Sequence, residues 1–549
     1  MRRWTEVRRS LGASTTLADT LADVYMGVLA AAMALAAALY AARDAGLLAQ
    51  GAEGAAGRVD AGWLWLLALA AALFSVVRFS RRLGPVGLDR ERVRWWLPLP
   101  VDRLSLIGPA AWRWPALGAV VGGGLGAIAA TALGGQEVAA GPVASAAALA
   151  ATLTGAACLA LVPAQTAGPV DDSAEHAGED HPARADVHEA PRTLDDLASA
   201  PASPARRRTT RRAVDVATGA ALLVVVAGAL VVLVTAPPVP ALPPVPVLLA
   251  VSGLGLAAAV VAGVLARRSV ERIPDAELAR GGGVAGSATF ALATLDTRTL
   301  GALTAADGAP VVRRRARWGL LARLPRSLRA PAALLAADAA ATLRRPALAL
   351  RPLLAVLALA LVADVRGAPA WLLPVAVGTL GYVSACASAT GARIARTREG
   401  LDAHLPMSAR AHRVTRLVWS WVALAPFVVG AAIVLGLHAS GGRGPALDVL
   451  AWVPVLASAA LGWAGAALRW AYRKDDEGTG PVAPSPMGPV PVGSIMLLLT
   501  GPDVGVVASV AVGLAVWAGA PLGVLTAIAL AVSLLVASVV TSPPPPYEE

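Results

Sequence analysis

The chain has 549 residues, of which 56% are hydrophobic, a formal charge of +11 and a mean hydropathy of +0.63. A soluble protein of this length cannot hide so much apolar surface in cores of ordinary size, so a purely soluble globular class is excluded. The single lysine, Lys474, is followed by Asp475, which excludes a phosphate-binding loop of the Gly-x-x-x-x-Gly-Lys-Ser/Thr type and with it an ATPase of that class.

Apolar runs of about 20 residues are the mark of membrane-spanning helices. Met1 to Ser10 holds four arginines, and no convincing small-residue cleavage site follows the first apolar run, so that run is expected to be retained. Twelve spans are predicted, at about 22–42, 61–79, 114–133, 141–163, 216–236, 241–265, 350–366, 368–391, 417–437, 446–468, 500–518 and 520–541. With the N-terminus in the cytoplasm, 43 of the 47 basic residues fall on inside segments, and only Arg43, Arg58, Arg366 and Arg443 fall outside. That asymmetry places both termini in the cytoplasm and the protein in the plasma membrane, multi-pass. Cys158 and Cys386 lie in apolar runs and read as small apolar residues.

Between the second and third spans lies a basic, Pro-kinked segment: Arg90-Glu91, five residues, Leu97-Pro98-Leu99, then Arg103, eight residues, and Trp112-Arg113-Trp114. It returns between the eighth and ninth spans as Arg398-Glu399, five residues, Leu405-Pro406-Met407, then Arg410, eight residues, and Trp419-Ser420-Trp421. The recurrence predicts an all-α membrane protein of two six-helix repeats. The expected divisions are 1–266 for the first half, 267–330 for a basic connector, 331–542 for the second half and 543–549 for a Pro-rich tail. Each half opens on a polar, Ala-rich amphipathic lead, Leu11 to Asp23 and Pro331 to Leu343. The polar loop at 165–215 is expected to be mobile, and its His176, His181 and His188 are spaced too widely for a compact zinc site. The Trp pairs suit the headgroup layer, and Gly122, Gly123, Gly124 and Gly126 suit close helix packing.

Deep ionisable residues, which a proton- or ion-coupled carrier or a membrane enzyme would need, are nearly absent from the spans. The exception is Asp503, after Gly501-Pro502. It is either a buried carboxylate at a broken helix on a substrate pathway or a first-turn residue of the eleventh span. The basic segments offer a charged rim around an apolar centre, the makeup of a docking surface. Headgroup anchoring by their arginines and tryptophans is the simpler reading, but it does not require Arg-Glu and Leu-Pro to recur at one spacing.

A six-span unit with an amphipathic lead and a Gly-Leu…Leu-Pro…Arg phrase after its second span resembles the permease of ABC-2-type transporters. Arg398-Glu399-Gly400-Leu401 through Leu405-Pro406-Met407-Ser408 to Arg410 carries the resemblance best; the copy at 90–103 lacks the Gly-Leu. The resemblance implies two permease halves fused in tandem, as in some large actinobacterial exporters, with a separate ATP-binding cassette subunit as partner. It assigns ATPase coupling to Arg90, Glu91, Leu97, Pro98, Arg103, Arg398, Glu399, Leu405, Pro406 and Arg410. No cofactor, metal, catalytic residue or nucleic-acid partner is expected. The same plan is open to a membrane family that scaffolds rather than transports. A secondary carrier is disfavoured, because Gly87-Leu88-Asp89-Arg90 lacks the Gly and basic cluster that complete that class's loop signature.

Overall fold

A computed structural model describes residues 58–134, 140–165, 223–238, 244–283, 323–397, 405–439, 446–472, 482–491 and 500–542, with breaks of one to three residues inside some of these ranges. The first predicted span, the 165–215 loop beyond Gln165, most of the connector and the tail lie outside the described residues. Within them the protein is helical apart from one hairpin. The helices are α1 (Ala61–Leu83), α2 (Arg90–Trp95), α3 (Arg103–Gly134), α4 (Ala140–Gln165), α5 (Leu223–Thr235), α6 (Val245–Val270), α7 (Arg326–Leu343) and α8 (Pro346–Ala349). They continue with α9 (Arg351–Ala363), α10 (Leu372–Ser388), α11 (Thr390–Thr397), α12 (Ala409–Val422), α13 (Ala425–Ala439), α14 (Ala446–Tyr472), α15 (Pro502–Ala518) and α16 (Leu522–Thr541). Strands β1 (Val482–Ser485) and β2 (Gly488–Pro491) pair antiparallel in the segment before α15, where no strand was expected.

Among the described residues five helical segments are long and apolar enough to cross a membrane: Ala140–Pro163, Val245–Val270, Ala409–Ala439, Val449–Tyr472 and Leu522–Thr541. A sixth results if α10 and the start of α11, bent by 53°, count as one span. The remaining predicted spans from 61 onward fall on shorter apolar helices, Gly62–Ser75, Pro115–Thr131, Leu223–Thr235, Arg351–Ala363 and Pro502–Trp517. The 13 residues of α9 rise about 20 Å, short of a hydrocarbon layer about 30 Å thick. Its apolar run is cut at one end by Arg351-Pro352 and at the other by Asp364.

The helices are inside-out by the standards of a soluble protein. On α6 the buried residues are Leu248, Ser252, Gly255, Ala262, Gly263, Ala266 and Val270, mostly small. Its large side chains, among them Leu249, Leu254, Leu256, Val260 and Leu265, point outward. The last helix does the same, burying Ala529 and Ser533 while exposing Ile528, Leu534 and Leu535. Small residues let helix backbones approach, and large apolar ones face a medium as apolar as themselves, which is the division of labour of helices in lipid.

Packing follows from that pattern. The first group joins α3 to α4, α4 to α6, and α1 to both α3 and α4. On α3 three glycines spaced four apart face α4: a Cβ on Gly118 would lie 2.8 Å from Cys158 Sγ, and one on Gly126 would lie 2.7 Å from the Ala146 carbonyl. Between them, Gly122 abuts Thr154 and the Ala150 carbonyl. The second group joins α9 to α10 and α13, α13 to α14, and α14 to α10, α15 and α16. Its centre is the fully buried Trp463, which lies over Gly381, meets the Phe427 ring edge-on at 5.9 Å and donates to Ser509 Oγ at 2.9 Å.

The groups meet where α1 and α5 touch α9. Val59 pairs with Val365 in a parallel bridge, with Val59 N–H donating to the Asp364 carbonyl at 2.9 Å and Arg366 N–H to the Val59 carbonyl at 2.8 Å. Beneath it lies a small apolar layer of Val59, Ala229, Val232 and Leu361, flanked by Trp63, Leu64 and Leu357.

Candidate functional site

The bridge puts the start of α1 and the end of α9 at one end of the bundle, and both basic segments follow from helices running to the other end. There the first segment is folded onto the chain that leaves α6. Val86, Leu88, Leu106 and Ile107 bury against Ala266, Val270, Ile273 and Leu278, with Leu97 packed at the edge. The backbone is tied as well: Leu88 N–H donates to the Leu278 carbonyl at 2.9 Å. The side-chain amide of Gln165, at the end of α4, makes both possible bonds to Val86, accepting from its N–H at 3.0 Å and donating to its carbonyl at 2.7 Å. Gly87 allows the contact, since a side chain there would collide with the backbone of Gly281 and Gly282.

Arg103 closes this arrangement. Its guanidinium donates to the Ile273 carbonyl, just past the end of α6, and pairs with Asp275 at 2.7 Å. A cation at the carbonyl end of a helix is favourable because the peptide dipoles leave negative partial charge there. The second segment repeats the device one turn further on. Arg413, not Arg410, donates to the carbonyls of Val540 and Ser542 at the end of α16, with its guanidinium carbon 5.2 Å from the Tyr472 ring. Arg410 is exposed, as is Pro406, and Leu405 is half-buried. Ser408 caps α12 by accepting from Ala411 N–H at 3.2 Å.

The other sequence-predicted residues are placed less fully. Arg90 and Glu91 open α2, but their side chains lie outside the described set, and Pro98, Arg398 and Glu399 lie outside it altogether. Asp503 stands in the first turn of α15, about two-fifths exposed, accepting from the N–H groups of Gly501 and Val504 at 2.8 Å each and pairing with Arg469 at 3.4 Å. That is the geometry of a helix-start carboxylate. Gly501 makes the turn with φ +108°, which suits only glycine, and a Cβ there would strike Trp470 and Tyr382. Among the described residues no group of His, Cys, Asp and Glu has a metal-binding arrangement; the loop with His176, His181 and His188 is outside them.

Two linkages escaped the sequence reading. Asp338, the one acid of the Pro331–Leu343 lead, is buried on α7, and its carboxylate lies 3.5 Å from the buried Arg416 of α12. Arg416 also donates to Tyr472 Oη on α14 at 2.7 Å. Gly391 of α11 lies directly against the Asp338 carboxylate. The ion pair therefore ties the amphipathic lead to the helix that the second basic segment feeds. A sequence signal existed: His412 and Arg416 are one turn apart, both buried, on the face of α12 opposite the exposed Val414, Val418 and Trp421. The second linkage is the Arg58–Asp364 pair beside the Val59–Val365 bridge, at 2.9 Å.

A family model described as "Family of unknown function (DUF6297)" matches residues 197–480, just over half of the chain, and the chain belongs to that family. The matched stretch runs across the expected boundary between the halves, from the loop before α5 to just past α14. No curated protein and no solved structure matches the chain.

Proposed function

We propose that this protein is the membrane-spanning permease component of an ABC-type exporter in the plasma membrane, energised by a separate ATP-binding subunit that docks on segments 90–103 and 398–410. In this reading twelve spans form two six-helix halves, with both termini cytoplasmic. The observation that carries it is the pair of arginine clamps. In each group the arginine-bearing start of the third span, Arg103 or Arg413, grips the carbonyl end of the sixth. A push on either segment is thereby delivered to the far ends of a half rather than absorbed in a loop. The packing order gives the same support: third span on fourth, fourth on sixth, and second on fourth recur in both groups. The chain has no phosphate-binding loop of its own, so a borrowed power stroke fits its chemistry.

The test is purification from native membranes with ATP hydrolysis as the readout. The wild-type protein should carry a hydrolysing subunit, and Glu91→Arg/Glu399→Arg should lose it while keeping its yield and melting temperature. Hydrolysis retained in full by the double variant would remove docking at these segments. Absence of any hydrolysing partner from the wild type would favour the scaffold reading.

A further inference from the structure

The bridge between Val59 and Val365 is not a chance meeting of two loops. Arg58 and Asp364 stand 306 residues apart, and Arg90 and Arg398 stand 308 apart. The bridge thus joins nearly the positions that the recurring phrase makes equivalent. Carrying its register forward sets Trp65-Leu66-Leu67 on Trp371-Leu372-Leu373 without a gap. In an object with two-fold symmetry a residue can touch its own counterpart only on the axis. Two extended segments that run along such an axis pair in parallel, as Val59 and Val365 do in their isolated bridge.

The charges agree with this. Two identical copies would set like charge against like charge at the axis, a destabilising juxtaposition. Here the first copy reads Arg58-Val59-Asp60 and the second Asp364-Val365-Arg366, with the signs exchanged about the shared valine. Arg58 Nε donates to Asp364 Oδ2 at 3.1 Å, and a second guanidinium nitrogen pairs with it at 2.9 Å. Fusion of the halves into one chain is what permits the exchange. Arg58 also reaches the Leu233 carbonyl on α5, and Trp63 Nε1 donates to the Pro237 carbonyl at 2.8 Å, so the chain leaving α5 is drawn into the same knot. Immediately beneath it lies the apolar layer of Ala229, Val232 and Leu361.

We infer that Arg58–Asp60 and Asp364–Arg366 form the outward closure of a pathway running along the axis between the two halves, latched by the Arg58–Asp364 pair over an apolar seal. This rests on the permease reading for its direction, outward being the side away from the basic segments. The latch is a surface ion pair, Arg58 being two-thirds exposed, so it is weak enough to open. The seal beneath it excludes water while the latch is closed.

Two experiments test it. The variant Val59→Cys/Val365→Cys, in a Cys158→Ala/Cys386→Ala background, should form a disulfide detected by peptide mapping. Paired neighbouring strands lie about 4.8 Å apart, within the Cα separation that a disulfide spans. A failure to cross-link overturns the axial contact. In the same background Ala229→Cys, on the buried face of α5, is labelled from outside intact cells with a membrane-impermeant maleimide. Labelling should be slow, rise at least about tenfold when Asp364→Arg sets two arginines face to face, and return to the slow rate in Arg58→Asp/Asp364→Arg. Fast labelling before any charge is changed, or a rate indifferent to the reversal, overturns the closure. So does a double reversal that stays fast, since that marks a damaged fold rather than a latch. None of these outcomes depends on an ATPase, so loss of the docking proposal leaves the closure standing, and loss of the closure leaves docking standing.

Discussion

Gly122 and Asp338 act through opposite physics. Gly122 has no side chain where α3 meets α4, and a Cβ would enter the space of Thr154 and the Ala150 carbonyl. Gly253 on α6 meets nothing within 4 Å. Gly122→Leu should therefore cost about 1–3 kcal/mol through overpacking and lower the melting temperature in detergent. Gly253→Leu should leave it unchanged or raise it, because leucine is the better helix former. Equal effects from the two would mean that the α3–α4 approach is not tight. Asp338 is costly to remove for the reverse reason, since it leaves Arg416 buried without its carboxylate. Asp338→Ala should lose about 3–5 kcal/mol, and Asp338→Leu/Arg416→Met should recover most of it. Chemical denaturation of the purified protein reads both. A double variant as damaged as the single would show that the pair is not the source of the loss.

At the scale of elements, the apolar helices were legible as runs of apolar residues bounded by arginine, proline or aspartate, but among the described residues only five of them, or six with the bent pair, reach the length of a membrane span. The glycine stripe of α3 was legible at Gly122 and Gly126, while Gly118 at its start was missed and Gly123 makes only ordinary contact. The clamps were not legible. Arg410 holds the position matched to Arg103, but Arg413 reaches the end of α16, and helical phase against a distant helix is a property of the packed structure rather than of spacing along one segment. The hairpin was missed because its strands are Pro- and Gly-rich, the composition that normally argues for a loop. The clamp makes a prediction that spacing alone does not. A bond from a charged donor contributes about 1.5–3 kcal/mol, so Arg413→Ala should free the end of α16. Hydrogen exchange of the amides from 538 to 542 should quicken several-fold in Arg413→Ala and stay at the wild-type rate in Arg410→Ala. Arg103→Ala should do the same to 271–278. Equal exchange in the Arg413 and Arg410 variants would show that Arg413 does not hold the end of α16.

For the whole molecule the decisive feature is the separation of charge between the two ends. Arg58, Asp364 and Arg366 gather at one end, where the two helical groups touch. Arg393, Arg413, Arg416 and Arg469 gather at the other, around Asp338, Trp470 and Tyr472. Basic residues flanking spans tend to stay on the cytoplasmic side, so the proposed orientation sets the second end in the cytoplasm and the bridge outside. Arg366 and Arg410 are both exposed, one at each end, Arg366 just past α9 and Arg410 in the first turn of α12. In the background Cys158→Ala/Cys386→Ala, Arg366→Cys should react with an impermeant maleimide added to intact cells, and Arg410→Cys should react only after the membrane is opened. The reversed pattern would invert the protein and place the bridge in the cytoplasm. Reaction of both from one side would show that α10 and α11, the helices between the two positions, do not carry the chain across the bilayer, and would remove the proposed alternation of ends.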